Sequence, residues 1–167
     1  MKNFTLIILL AILAVSGINC GYRVGSLLPS DLKTVAIPMF INKTPEPELE
    51  SLVTNGVIQE TIADGTLELS SEENADTLLE GEIIDYRREP IRFSNDQVTR
   101  QYRLIIAVSL VFTNLKTKEI LWRNSRVEGF TDFYVGSSLP ESERIAQPKA
   151  IKDLAHQVVE KVVEGGW

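Results

Sequence analysis

Residues 102–113 read YRLIIAVSLVFT and are apolar on both faces of an extended chain. A run of this kind is a central strand, and the rest of the chain must be arranged around it. Two further strand-like stretches flank it, 77–87 (TLLEGEIIDYR) before and 120–134 (ILWRNSRVEGFTDFY) after. The first is separated from the central strand by EPIRFSNDQVTRQ, in which Asn95-Asp96 is a turn signal. The pair therefore reads as a long hairpin whose tip is basic and carries an aromatic residue. Lys116-Thr117-Lys118 is the next turn, and along the strand that follows a period of two sets Arg123 and Arg126 on opposite faces.

Upstream, residues 33–40 (KTVAIPMF) read as a first strand, and Pro38 marks an edge or a strand end because proline has no N–H for the ladder. Thr44 is the expected N-cap of a helix with Pro45 in its first turn, and Leu49, Leu52, Val53, Val57 and Ile62 recur at roughly helical spacing. Asp64-Gly65 stops it, and a short strand can follow at 66–70. Near the C-terminus, Ser138 and Glu141 have the spacing of a capping box, and Ile151, Leu154, Ala155, Val158 and Val162 form an apolar stripe. Pro148 is expected to break the first turns, so that the regular helix starts near Gln147. The sum is an α+β two-layer sandwich: a mostly antiparallel four-stranded sheet with two helices packed on one face.

The N-terminus has a different character. Lys2 precedes an apolar run from Phe4 to Val15, and Ser16-Gly17 lies just before Cys20. This is the layout of a secretory leader, and the run is short of the roughly 20 residues that a spanning helix needs. Cys20 is the sole cysteine of the 167 residues. It excludes an intramolecular disulfide and a multi-cysteine zinc site, and a bare thiol in an oxidising compartment is a pairing hazard unless chemistry consumes it. The segment resembles the lipobox of bacterial lipoproteins, in which such a cysteine is acylated before cleavage; it departs from that pattern at Gly17 and Asn19. The expected division is a signal peptide at 1–19, a lipidated tether at 20–30 and one domain at 31–167. The alternative is a soluble secreted protein with a free cysteine near its start.

Removing residues 1–19 takes away Lys2, one of 17 basic residues, and none of the 23 acidic ones, moving the formal charge from -6 to -7. Nucleic-acid binding is not expected, because it rests on clustered cations that neutralise phosphates. The strongest basic cluster is local: Arg87, Arg88, Arg92, Arg100 and Arg103, around the hairpin tip. His156, the one histidine, sits beside the apolar stripe of the last helix and reads as a half-exposed helix residue. No G-x-S-x-G, Gly-rich phosphate loop or H-E-x-x-H occurs, so no catalytic residues, metal or cofactor are implied.

Taken in order, Cys20-Gly21-Tyr22, VAIPMFINKTPEP, LESLVTNGVIQE, DGTLEL, ADTLLEGEIIDY, QYRLIIAVSLVF and KEILWRNSRVEG resemble the LptE family of lipopolysaccharide-assembly lipoproteins over nearly the whole mature chain. The resemblance implies a non-enzymatic outer-membrane lipoprotein that plugs the lumen of the β-barrel LptD, helps it assemble and assists delivery of lipopolysaccharide to the outer leaflet. Its anchor would be the acylated Cys20, with the domain on the periplasmic side or inside the barrel. Gly21 after the cysteine resembles the sorting pattern for the outer membrane. Arg123, Asn124 and Arg126 are the candidate barrel contacts, since lumen-facing surfaces are polar. Arg92, Phe93 and Arg100 are the candidate lipopolysaccharide contacts, because guanidinium groups pair well with phosphates. Two other readings stay open: a lipoprotein adaptor of another envelope transport system, resembling the N-terminal domain of TolB, and a small hydrolase using carboxylates.

Overall fold

The computed structural model describes residues 28–29, 31–93, 99–135 and 138–165. The expected signal peptide, Cys20, most of the expected tether and the expected turn at Asn95-Asp96 lie outside these residues. The described chain forms β1 (Thr34–Ala36), β2 (Ile41–Asn42), α1 (Leu49–Asp64), β3 (Glu68–Leu69), β4 (Thr77–Phe93), β5 (Thr99–Asn114), β6 (Glu119–Tyr134) and α2 (Leu139–Glu164). The strands make one mixed sheet in the order β3-β1-β4-β5-β6, with β2 also paired to β4.

β5 is central, as its sequence requires. Leu104, Ile106, Val108, Leu110 and Phe112 on one face are fully buried under the helices, together with Leu79 and Ile83 of β4. The hairpin β4–β5 and the meander β5–β6 are antiparallel along their length. The sheet is not the mostly antiparallel four-stranded one expected, however. It has six strands, and β1 runs parallel to both β3 and β4, as does β2 to β4. Pro38 is the physical reason on the β1 side: it ends β1 at Ala36 rather than Phe40, so the chain pairs with β4 in two short pieces. The return through α1 then makes the next strand, β3, parallel to β1.

The helices differ from expectation at their starts. Thr44 does not cap α1; its hydroxyl accepts from the Glu46 N–H at 3.3 Å inside a turn closed by the Asn42 side chain. The helix begins at Leu49, behind Glu48 in the left-handed conformation. It buries Leu49, Val53, Thr54, Val57 and Thr61, and leaves the expected core residues Leu52 and Ile62 exposed. The two threonines can face the core because each donates its hydroxyl to a carbonyl of its own helix, Glu50 at 2.6 Å and Val57 at 2.8 Å. In α2, Ser138 does cap the helix, accepting from the Glu141 N–H. Pro148 does not delay its regular part to Gln147: the helix runs unbroken from Leu139. An interior proline costs about 3 kcal/mol. Burial of Ala146, Ala150, Ile151 and Leu154 on both sides of it offsets that cost. Glu143 adds a tie to the sheet, accepting from Tyr86 Oη and Arg88 Nη1, both at 2.9 Å. The stripe Ile151, Leu154, Ala155, Val158 and Val162 is buried throughout, as its spacing predicts.

Asp76 knots three distant segments at the lower end of the sheet. Its carboxylate accepts from the N–H groups of Lys33 and Thr34 at 2.9 and 3.1 Å and meets Lys116 Nζ at 2.6 Å. The Lys116 ammonium and these backbone donors hold the Asp76 carboxyl well below the usual carboxylate range. A depressed folded-state pKa contributes stability above the unfolded value, and the contribution is lost as pH falls toward the folded one. The gap in melting temperature between the native protein and Asp76→Asn is therefore expected to stay constant from pH 7 to 5 and to narrow as pH drops below about 4. A gap that is the same at pH 2.5 as at pH 7 would show that the Asp76 charge does not support the fold.

Candidate functional site

Both helices lie on one face of the sheet, so the opposite face of β4, β5 and β6 is open among the described residues. Its composition follows from alternation. The residues between the core positions of β4 are Glu80, Glu82, Asp85, Arg87 and Glu89; on β6 they are Arg123, Glu128, Phe130 and Asp132. Two bulges at one level divide this face. Ile84 is the extra residue on β4, and Ser125-Arg126 together oppose Ser109 on β6. Bulges bend a strand and shift its side-chain parity.

The parity shift corrects one sequence expectation. Arg123 and Arg126 share the helix-free face, because the extra residue between Asn124 and Val127 restores Arg126 to it. Above the bulges the charges satisfy one another. Arg126 reaches Asp85 at 2.7 Å and Glu128 at 2.5 Å; Arg87 pairs with Asp85 and with Glu89; Arg103 meets Asp132 at 2.7 Å and lies 4.4 Å from the centre of the Phe130 ring. Burial pushes the Asp85 carboxyl up, but Arg126 and Arg87 together outweigh it and hold it below the usual carboxylate range; Arg103 holds Asp132 below that range too, against a smaller effect of burial. The stems of these long side chains cover Ile105 and Ala107, which are buried on this face.

Below the bulges the arrangement is different. A groove of about 430 Å³ is lined by residues that include Ile41, Glu80, Glu82, Ser109, Val111, Arg123 and Ser125. Arg123 and Glu80 stand in one cross-strand row, Glu80–Val111–Arg123, and neither has an ionic partner among the described residues. Glu82 has a long contact with Lys43 at 3.9 Å. Of the three candidate barrel contacts, Arg123 is thus free and lines the groove. Arg126 is engaged within the paired set, and the Asn124 side-chain Oδ1 accepts from the Arg126 backbone N–H at 3.0 Å. The sequence does not single out Glu80 or Ser109; the E-G-E alternation puts the two glutamates on one face, but nothing local reveals the bulges that set them apart from the paired charges above.

The basic cluster of the hairpin is less basic than it reads. Arg87 and Arg103 are paired within the sheet face, and Arg88 turns to Glu143 on α2. Arg92 is exposed and has no acidic partner among the described residues, opposite Gln101 in the register. The backbone of Phe93 pairs with Thr99, so Phe93 and Arg100 do lie at the same end of the hairpin; their side chains are outside the described residues. His156, exposed on α2, approaches Glu60 of α1 at 3.0 Å. No cluster of metal-ligating side chains occurs among the described residues, and no described helix is long and apolar enough to cross a membrane.

Comparison with known proteins adds family and fold. Among solved structures the chain is similar to the hypothetical protein CT253 from Chlamydia trachomatis (10% identity, TM-score 0.59, 81% of this chain and 98% of that one). It is similar also to protein XCC0632 from Xanthomonas campestris (8%, 0.59, 80% and 85%) and to a minor lipoprotein from Acinetobacter baumannii (15%, 0.53, 79% and 93%). At such identities the likeness is one of fold. No curated protein matches the sequence significantly. Residues 32–163 match the family described as LptE, lipopolysaccharide-assembly. With that match covering most of the chain, including both helices up to Val163 and all six strands, the protein belongs to the LptE lipopolysaccharide-assembly family.

Proposed function

We propose that this chain is a non-enzymatic outer-membrane lipoprotein that plugs the barrel LptD and assists lipopolysaccharide delivery. Residues 1–19 are removed, Cys20 is acylated, 20–30 form the tether and 31–167 the plug domain. The observation that carries the reading, beside family membership, is the open sheet face. It is long, polar and charged, which suits the polar wall of a barrel lumen. Co-purification after mild detergent extraction tests it. A stoichiometric β-barrel of large mass is the expected result; a peptidoglycan-associated or inner-membrane partner in its place would favour the adaptor reading and overturn this one.

The hairpin end is the proposed contact for lipopolysaccharide phosphates, through Arg92 and Arg100 with Phe93 between them in sequence. Arg92 is suited to the role because it is exposed and has no ionic partner among the described residues, unlike Arg87, Arg88 and Arg103. Charge-assisted contacts are worth about 1.5–3 kcal/mol each, so replacing both arginines by alanine is expected to weaken lipopolysaccharide binding by at least about tenfold. Stability should change by no more than about 0.5 kcal/mol for each substitution, and the barrel should remain bound. Equal binding by the double variant at matched salt would remove the hairpin end from ligand recognition.

A further inference from the structure

We propose that the helix-free face docks on the barrel wall through the groove below the bulges, where Arg123 meets a carboxylate of the partner and Glu80 with Glu82 meets a lysine or arginine. This rests on the plug reading and adds to it which face docks, in which polarity, and which of the charged residues carry the contact.

The argument is one of charge accounting. Seven charged side chains above the bulges, from Asp85 to Asp132, are arranged so that every cation has an anion within 3 Å. Breaking such a set to pair with another molecule exchanges like for like and gains little. Below the bulges the same face holds a guanidinium and a carboxylate about two strand spacings apart, roughly 9.5 Å, with small or half-buried Ser109 and Val111 between them. Unlike Arg126 and Asp85, which bridge the same two strands above the bulges, they form no ion pair with each other. The concavity gives a partner's side chains room to reach them, and Ile41 adds an apolar rim, 53% exposed. Unpaired opposite charges held at fixed separation on a sheet select a partner surface of opposite polarity and set its orientation. A lumen wall built of alternating polar side chains offers such a pattern, whereas a lipid surface, negative throughout, would be repelled by Glu80 and Glu82.

The test uses the full-length chain co-expressed with its barrel. Arg123→Glu is expected to lower recovery of the barrel by at least about tenfold with the melting temperature unchanged, since Arg123 has no ionic partner to lose among the described residues. The swap Glu80→Arg with Arg123→Glu keeps the net charge and inverts the polarity; it is expected to fail equally. Lys149→Glu, exposed on α2, should bind as the native chain does. In parallel, a photocrosslinking residue at Ser125 should capture the barrel and one at Asn55 on α1 should not. Native recovery by both Arg123→Glu and the swap, or capture from position 55 and not from 125, would overturn this docking while leaving the plug intact. Failure of the native chain itself to retain any barrel would overturn the plug reading and this inference together.

Discussion

One methyl group at position 129 is expected to unseat the long C-terminal helix from the sheet. α2 crosses β6 at Gly129, and a Cβ built there would lie 2.2 Å from the Leu154 nitrogen and 2.3 Å from its Cα. Those atoms are helix backbone and cannot rotate away. The next residue makes the seat tighter, because the Phe130 N–H donates to Asp153 Oδ2 at 2.9 Å. To admit alanine, α2 must lift, and lifting it withdraws the buried Ile151, Leu154 and Val158 from the core. Overpacking usually costs about 1–3 kcal/mol where side chains can adjust; here the backbone has to move, so Gly129→Ala should cost about 4 kcal/mol or more. The midpoint of denaturant unfolding measures it. A midpoint shift of less than about 1 kcal/mol in equivalent stability would mean that helix and strand do not meet at this point.

Cys20→Ser, expressed in the absence of the barrel partner, is expected to move the whole protein from membrane to soluble fraction. No described helix can span a bilayer, so without the barrel the acyl chains are the attachment that the proposed reading supplies. Each buried methylene contributes about 0.8 kcal/mol, one chain holds a protein only marginally, and two hold it stably. Removing the sulfur removes the site at which the first lipid is joined. The variant should therefore lose acyl labelling, lose the corresponding mass and appear in the periplasmic soluble fraction. Unchanged mass and unchanged fractionation would return the chain to the alternative of a secreted protein with an unmodified cysteine, and the plug would have to reach the membrane through its partner alone.

Local pattern made much of this protein legible. Residues 102–113 are apolar on both faces, and they are the buried central strand. The period of the last stripe, from Ile151 to Val162, named the buried face of α2 residue by residue, and Asp64-Gly65 and the Lys116–Lys118 turn ended their elements where expected. Order and spacing of several weak motifs together pointed to the family that residues 32–163 match. These features are local, because side-chain period, turn chemistry and capping act within a few residues.

What tertiary structure alone decided are the relations between segments that are far apart in sequence. Pro38 announced a strand end, but not that the two pieces around it would each pair parallel to β4. Pro148 would break an isolated helix; packing on the sheet and the tie from Glu143 to Tyr86 and Arg88 keep it whole. The bulge at Ser125-Arg126 puts Arg126 on the same face as Arg123, against the simple period of two. Which charges are free follows from that register: Asp85, 41 residues away, takes Arg126, and Arg123 is left over. A sequence states which side chains carry charge. Whether a charge is spent inside the molecule or remains for a partner depends on which strand lies beside it, and that is set by pairing across the sheet.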